Sequence, residues 1–228
     1  MPVKIKAILF DLVGTLIYVK DSVGTVYSNI ALSFGFNLDP SLLDKTFSVI
    51  LHSRKPAIGG DKNEKQWWRE IVFDTFKESG YNLGDKFNDI FEFLFLEFTK
   101  KNVWAVYQEV FDVFKEIQKR NISLGLISNF DSRLEVILQE LNLFNYFNSL
   151  SYSGKVGFSK PDVKIFKYSL QELNILPEES MYIGDSLYSD YYPACGININ
   201  ALLIDRKNEC QEKDIKKIAS LNEIFNYV

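Results

Sequence analysis

The sequence predicts an α/β fold with a parallel sheet and an inserted all-helical segment, and three observations support this fold class. Short apolar runs recur along the chain, and each is followed by turn-forming residues. Helical patterns separate the later runs, and one long stretch near the N-terminus shows helical periodicity throughout. Short apolar runs are typical of buried parallel strands, and their alternation with helices favours a parallel sheet.

Four apolar runs supply the predicted strands. These runs are Lys6–Phe10, Ile122–Ile127, Met181–Ile183 and Ala201–Ile204. Apolar residues at helical spacing predict helices over Val110–Ile117, Leu134–Leu141 and Ile165–Leu170. Parallel strands need crossover connections of this length, and helices usually supply them.

The stretch from residue 18 to residue 101 follows a different pattern. Helical spacing predicts four helices there, at about residues 25–34, 41–51, 64–78 and 85–99. Pro56, Gly59 and Gly60 indicate a loop between the second and third. We therefore expect an α/β core domain of residues 1–17 and 102–228, with a helical cap domain of residues 18–101.

Composition excludes several classes of protein. The 228 residues are 46% hydrophobic, enough for a sizeable core, and the net charge of −4 argues against a nucleic-acid partner. No apolar run reaches the roughly 20 residues that span a bilayer, so we expect no membrane partner. The single histidine, His52, argues against a histidine-cluster zinc site. Two cysteines without CxxC spacing, and an N-terminus unlike a signal peptide, indicate a cytoplasmic location. The oligomeric state stays open.

Four polar elements lie at or near the C-terminal ends of predicted strands. They are Asp11–Leu16, Ser128–Asn129, Lys160–Pro161 and Gly184–Asp190. Each element alone is also typical of a turn or a helix cap. Their occurrence together matters, because open α/β sheets bind ligands at the carboxyl ends of their strands.

In this order, the four elements resemble the four motifs of the haloacid dehalogenase superfamily. That family also places a helical cap after its first strand. The resemblance implies a Rossmann-like core and an Asp11 nucleophile that forms an aspartyl-phosphate. Two further segments, Ile127–Glu135 and Gln66–Trp68, resemble the family group called haloacid dehalogenase-like hydrolase domain-containing protein 3.

The same residues suit a magnesium site. A phosphate ester repels an incoming carboxylate, so the site must neutralise charge before Asp11 can attack. Mg²⁺ is a hard cation that takes carboxylate and water ligands. We expect Asp11 and Asp185 to bind it, Asp190 to act directly or through a water, and the backbone carbonyl of Val13 to complete the protein ligands.

The remaining predicted site residues face the phosphate. Lys160 is expected to act in catalysis and to bind the phosphate, because its positive charge lowers the repulsion between Asp11 and the substrate. Thr15, Ser128 and the backbone amide of Asn129 are expected to donate hydrogen bonds to the phosphate oxygens. The predicted partner is therefore a small phosphorylated molecule.

Val13 departs from the pattern of the resembled phosphatases, which carry a second aspartate two positions after the nucleophile. That aspartate transfers a proton, and general acid–base catalysis contributes typically about 10²–10⁴-fold. Three interpretations remain open. The substrate has a good leaving group, or Asp21, Glu64 or Lys62 transfers the proton, or the site is a weak catalyst that mainly binds phosphometabolites.

The predicted function is magnesium-dependent hydrolysis of a small phosphorylated molecule through Asp11. The first alternative is a phosphometabolite-binding protein on the same scaffold. A 2-haloacid dehalogenase is disfavoured, because the resembled dehalogenases use no metal whereas Asp185 and Asp190 are typical of a metal site.

Overall fold

The computed structural model describes residues 4–228, and its centre is a parallel sheet. The strands are β1 (Ala7–Phe10), β2 (Ile17–Val19), β3 (Trp104–Val106), β4 (Ser123–Ser128), β5 (Ser149–Tyr152), β6 (Ser180–Gly184), β7 (Asn200–Ile204) and β8 (Lys217–Ile218). Six of them form one sheet in the order β5-β4-β1-β6-β7-β8, and every neighbouring pair is parallel. The predicted α/β class with a parallel, Rossmann-like sheet is therefore confirmed.

Helices surround this sheet. They are α1 (Val23–Ser33), α2 (Pro40–Ser53), α3 (Asp61–Glu78), α4 (Phe87–Glu97), α5 (Val110–Lys119), α6 (Arg133–Glu140), α7 (Ser153–Val156), α8 (Val163–Leu173) and α9 (Tyr192–Cys195). The three helices predicted between the strands are confirmed as α5, α6 and α8. Within residues 4–228, no helix is both long enough and apolar enough to cross a membrane.

Burial on both faces explains why β1 is a continuous apolar run. Successive side chains of a strand point to opposite faces of the sheet. Phe10 therefore joins one hydrophobic cluster, where its ring packs 5.5 Å from that of Phe114. Leu9 joins the cluster on the other face together with Phe166 and Tyr182. The sheet's centre is thus covered by helices on both sides.

The four cap helices enclose a hydrophobic cluster of their own, and two of them begin at capping side chains. The Ser22 hydroxyl accepts a hydrogen bond from the backbone of Thr25 at the start of α1, and Asp39 caps α2 ahead of Pro40. The shared core is apolar and contains several aromatic rings. Its buried members include Tyr27, Leu43, Val72, Phe76, Phe87, Ile90, Phe91 and Leu94. All four predicted cap helices are present, although α4 starts at Phe87 rather than Asp85 because a 3₁₀ turn precedes it.

An antiparallel pair of strands connects the sheet to the cap helices. Ile17 pairs with Val106 and Val19 pairs with Trp104, so the chain leaves β2 and returns through β3 side by side. The predicted boundary between residues 17 and 18 falls inside β2. The division into a core of residues 1–17 and 102–228 and a cap of residues 18–101 stays a prediction, and residues 1–3 lie outside the described part.

Four strands were not predicted, and β5 shows why. Its sequence places buried serines among apolar residues, which hides the apolar run. The Ser149 hydroxyl donates to Glu172 over 2.7 Å and lies 3.2 Å from the Ser169 hydroxyl, so the buried polar atoms have partners. Strands β2, β3 and β8 contain only two or three residues, too few for a periodic pattern.

Candidate active site

Three strands bring the predicted site residues to one edge of the sheet. Asp11 follows β1, Ser128 ends β4, and Asp185 follows β6. Phe10 of β1 aligns with Leu126 of β4 and with Ile183 of β6, and the Asp11 amide donates to the Ile183 carbonyl over 2.9 Å. The carboxyl ends of the three strands therefore lie level, which is where α/β sheets bind ligands.

Three aspartates form a compact acidic cluster at this edge. One carboxylate oxygen from each of Asp11, Asp185 and Asp190 lies within 4.8 Å of the other two. Asp11 and Asp190 are buried, whereas Asp185 is open to solvent. Carboxylate oxygens are the donors that hard divalent cations prefer, so this cluster fits Mg²⁺.

Lys160 is the cation of this cluster. Its Nζ atom donates to Asp11 Oδ1 and Asp190 Oδ1, each over 2.6 Å, and to the Tyr182 hydroxyl over 3.1 Å. An ammonium has three donors, so all three are used. Burial lowers the pKa of Lys160, but Asp11 and Asp190 raise it more, and the pKa rises above its usual value. The lysine therefore stays charged beside Asp11.

The charges of the three carboxylates are only partly neutralised by Lys160. Burial raises the pKa of Asp11 to about 6, with Lys160 opposing the rise and Asp190 adding to it. Asp185 is open to solvent on one side, yet loss of water to the surrounding protein and repulsion from Asp11 and Asp190 raise its pKa to about 7. One ammonium does not balance three carboxylates, and a divalent cation would reverse these shifts.

Asn129 holds the lysine segment through its side chain. Its amide Nδ2 donates to the Lys160 carbonyl over 2.9 Å, and the Lys160 amide donates back to Asn129 Oδ1 over 2.6 Å. This reciprocal pair joins the end of β4 to the third motif across 31 residues of sequence. The expected use of the Asn129 backbone amide on phosphate stays a prediction.

The other two predicted phosphate ligands lie at the same edge. Thr15 and Ser128 are both buried. The Thr15 hydroxyl lies 3.4 Å from Asp11 Oδ2, close enough for a long hydrogen bond to the expected nucleophile. The structure therefore places Thr15 and Lys160 within hydrogen-bond distance of Asp11, and Ser128 at the end of the neighbouring strand β4.

Val13 occupies a tight turn immediately after Asp11. The Ile17 amide donates to the Leu12 carbonyl over 3.0 Å, and the Gly14 amide donates to the Ile17 carbonyl over 2.8 Å. These bonds involve the neighbours of Val13 and leave its side chain 37% exposed. An apolar side chain thus stands at the surface two residues after Asp11.

Two glycines allow the motifs to approach one another. Gly14 has a φ of +92°, and a Cβ atom there would overlap the Asp185 carboxylate. A Cβ atom at Gly184 would overlap the Asp190 side chain. Any larger residue at either position would displace an acidic side chain of the cluster.

Tyr182 is a site residue that sequence reasoning missed. Its hydroxyl donates to Asp190 Oδ1 over 2.6 Å and accepts from Lys160, within a fully buried environment. Burial, followed by repulsion from Asp190 and Asp11, raises its pKa far above the usual value, so it stays a donor. The available signal was a tyrosine within an otherwise apolar strand, two residues before Gly184.

A second group of charged side chains lies where the cap helices meet the sheet domain; we define it as the cap–core cluster of Asp61, Glu64, Asp131 and Arg133. Glu64 and Asp131 are buried, whereas Asp61 is exposed. The Ser132 amide donates to Asp61 over 2.8 Å. The Ser153 hydroxyl donates to Glu64, which is buried. Glu64 was one of three candidate proton donors. The other two, Asp21 and Lys62, are exposed.

Arg133 completes this contact. Its guanidinium donates to both carboxylate oxygens of Asp131, over 2.8 and 2.7 Å. It also lies 3.5 Å from the centre of the Phe95 ring and donates to the Phe95 carbonyl over 3.1 Å. One side chain from the sheet domain therefore binds the end of cap helix α4.

A parallel sheet with three aspartates and one lysine at its carboxyl edge defines a hydrolase of the haloacid dehalogenase-like class. The model of the haloacid dehalogenase-like hydrolase family matches residues 5–194. The chain therefore belongs to this family, and the resemblance inferred from the four motifs is confirmed.

Individual relatives make the placement more specific. The chain is 27% identical over 206 residues to human haloacid dehalogenase-like hydrolase domain-containing protein 3, covering 88% of this chain and 82% of that protein. A phosphatase of the family from Thermococcus onnurineus shares the fold, with a TM-score of 0.70, 23% identity, and coverage of 98% of this chain and 97% of the other. A 2-haloacid dehalogenase from Pseudomonas syringae pv. Tomato DC3000 has a TM-score of 0.64, 20% identity and coverage of 97% of both chains. The same fold thus carries both activities, so the site must decide between them.

Proposed function

We propose that this chain is a magnesium-dependent phosphatase that hydrolyses a small phosphorylated molecule through Asp11. The observation that carries the proposal is the position of Lys160. Its ammonium lies 2.6 Å from both Asp11 and Asp190, while Asp185 completes a cluster of three carboxylates. This excess of negative charge suits a divalent cation better than it suits an anionic 2-haloacid bound without metal.

Asp11, Asp185 and Asp190 are the side chains that would hold Mg²⁺, with the Val13 carbonyl as a further ligand. Bound there, the ion would neutralise phosphate charge and stabilise the charge that develops in the transition state. The lone pairs of Asp190 favour an indirect or single-oxygen role. Its Oδ1 already accepts from Lys160 and Tyr182, and its Oδ2 accepts from the Ser186 amide over 3.1 Å.

The proposed reaction begins when a carboxylate oxygen of Asp11 attacks phosphorus. The new bond to phosphorus forms as the bond to the leaving oxygen breaks, and water then hydrolyses the aspartyl-phosphate. Lys160 keeps Asp11 ionised and offsets its repulsion of the phosphate. Thr15, Ser128 and the Asn129 amide would donate hydrogen bonds to the phosphate oxygens.

Assay of p-nitrophenyl phosphate tests this function directly. We expect Mg²⁺-dependent turnover that EDTA abolishes and that Asp11→Asn reduces by about 10³-fold or more. Lys4→Ala, a change at an exposed lysine, serves as the matched control and should leave the rate unchanged. Turnover that survives both EDTA and Asp11→Asn would exclude the proposal.

Val13 sets the expected rate on different substrates. Valine cannot protonate a leaving alcohol, so substrates with good leaving groups should be favoured. Val13→Asp should raise the rate on alkyl phosphates by about 10-fold or more, since proton transfer contributes typically about 10²–10⁴-fold. Val13→Asn, which is polar but holds no transferable carboxyl proton, is the control. An equal gain in both variants would contradict the proton-transfer explanation.

The exposed apolar side chain of Val13 beside Asp11 also favours a second candidate, a phosphometabolite-binding protein with weak turnover. It predicts calorimetric binding of phosphate compounds without hydrolysis of any member of a broad substrate panel. Efficient turnover of one compound would exclude it. The free cysteines Cys195 and Cys210 fit a reducing compartment, so a cytoplasmic location forms part of the proposal.

A further inference from the structure

Arg206 contacts the loop that follows Asp11 from the carboxyl end of strand β7. It lies two residues beyond the end of β7, and its Nη2 donates to the Thr15 carbonyl over 2.8 Å. Its Nη1 donates to a carboxylate oxygen of Glu109 over 2.7 Å. Neither Arg206 nor Glu109 belongs to the four motifs, yet Arg206 binds the backbone of a residue that belongs to the first.

The same guanidinium also stacks on Tyr107, the residue that directly follows β3. It lies 3.5 Å from the centre of the Tyr107 ring, which packs 4.8 Å from the Tyr18 ring. The Tyr107 amide in turn donates to the Leu16 carbonyl over 3.1 Å. Arg206 therefore contacts the 12–16 loop directly through Thr15 and indirectly through Tyr107.

We propose that Arg206 is a positioning residue of the active site, fixing the 12–16 loop so that Thr15 and Asp11 keep their geometry. The consequence for turnover rests on the proposed phosphatase function. The role is geometric, because Glu109 pairs with the guanidinium and offsets its charge locally. A planar guanidinium can bind a carbonyl, pair with a carboxylate and stack on a ring at once, which a lysine cannot do.

Kinetics of Arg206→Ala and Arg206→Lys test this role. We expect kcat on p-nitrophenyl phosphate at saturating Mg²⁺ to fall about 10- to 100-fold, because small displacements of reacting groups cost up to about 10²-fold. KM should change less than kcat. Added guanidinium at low millimolar concentration should restore part of the activity of Arg206→Ala, a response that general loss of stability would not give.

Arg120 offers a matched control. It also forms an ion pair, with Glu116 over 3.0 Å, and stacks on a ring, 4.5 Å from the centre of Phe225. These contacts lie at the C-terminal end of α5 and on the 3₁₀ helix Leu221–Asn226. Arg120→Ala should leave kcat unchanged and show no response to guanidinium. Equal losses in the Arg120 and Arg206 variants would overturn the proposal.

Hydrogen exchange separates this proposal from the proposed function. The amides of Gly14, Leu16 and Ile17 are bonded within the loop and should be protected in the unaltered chain. Arg206→Ala, or Arg206→Gln if the alanine variant does not fold, should raise their exchange rates about 10-fold or more, whereas Arg120→Ala should not. This holds even if the chain hydrolyses no phosphate. Unchanged exchange at these amides would overturn the role of Arg206.

Discussion

The active-site cluster and the cap–core cluster contain the same number of acidic and basic side chains but differ in how their carboxylates are hydrogen-bonded. Each contains three carboxylates and one cation, Lys160 in the first and Arg133 in the second. In the cap–core cluster, each carboxylate accepts a hydrogen bond from another residue: Asp61 from Ser132, Glu64 from Ser153, and Asp131 from Arg133.

In the active-site cluster, not every carboxylate accepts such a hydrogen bond. Asp11 and Asp190 share the Lys160 ammonium, but within residues 4–228 no other residue donates a hydrogen bond to the Asp185 carboxylate. A carboxylate that accepts hydrogen bonds from protein groups is held in the fold, whereas one whose oxygens face solvent, as in Asp185, is available for a ligand. The hydrogen bonds donated to the carboxylates, and not the number of charges, therefore distinguish the active-site cluster from the cap–core cluster.

The largest expected effect comes from exchanging one aspartate in each cluster. Asp131→Asn leaves Arg133, whose side chain is only 10% exposed, without its charged partner. We therefore expect a loss of about 3–5 kcal/mol of unfolding free energy. For a chain of this size that corresponds to a melting temperature lower by roughly 6–20 °C. Its Mg²⁺ affinity, measured by calorimetry, should stay within about threefold of the unaltered chain.

Asp185→Asn should have the opposite effect. Removing one of three repelling charges should keep or raise the melting temperature, while Mg²⁺ affinity falls by about 100-fold or more. Even loss of a residue that only supports a metal ligand costs about 10–100-fold. If Asp185→Asn lowered stability and spared Mg²⁺ binding, the distinction between the two clusters would be wrong.

An intermediate effect is expected at Gly14, whose backbone lies directly against the Asp185 carboxylate. Gly14 and Gly35 have nearly the same φ, +92° and +90°, but only Gly14 lies against another side chain. Alanine at either position should cost about 1–3 kcal/mol of backbone strain. Gly14→Ala should additionally displace Asp185 and weaken Mg²⁺ binding by about 10-fold or more, in titrations run beside Gly35→Ala. Equal Mg²⁺ affinity in the two variants would contradict the close-contact argument.

The smallest effect concerns the pH dependence of the cap–core cluster. Burial raises the pKa of Glu64, with a lowering by Ser153 and further rises from Asp131 and Asp61. A raised carboxyl pKa contributes stability below the ordinary glutamate pKa, and that contribution is lost as pH rises through the folded-state value. In thermal melts run from about pH 4 to pH 8, the melting temperature of Glu64→Gln should therefore rise relative to that of the unaltered chain as the pH increases. Each kcal/mol that Glu64 ceases to contribute corresponds to about 2–4 °C.

Glu92→Gln is the control for this measurement, since Glu92 is an exposed cap carboxylate paired with Lys65. Its melting temperature should follow that of the unaltered chain across the same pH range. A Glu64→Gln difference that stays flat with pH would contradict the raised pKa of Glu64 in the folded chain.

The sequence predicted those features that local pattern controls. Apolar runs indicated β1, β4, β6 and β7, and the motif order placed Asp11, Lys160 and Asp185 at one edge. Contacts between distant segments left little local trace. Nothing beside Asn129 indicates that its side chain holds Lys160, and nothing around Arg206 indicates that it binds Thr15, 191 residues away. Strand β5 was missed because its serines are buried through partners on α8.

The antiparallel pair β2 and β3 has a consequence for how this molecule changes over evolution. Neighbouring strands lie about 4.8 Å apart, so the segment between Val19 and Trp104 departs from and rejoins the sheet domain at almost one point. Such an insertion resembles a very long hairpin turn, and hairpin turns tolerate exchange because their ends stay fixed. We expect that recombination can replace the whole helical segment, and with it substrate choice. The cluster of Asp11, Asp185 and Asp190 at the edge of the sheet would be inherited unchanged.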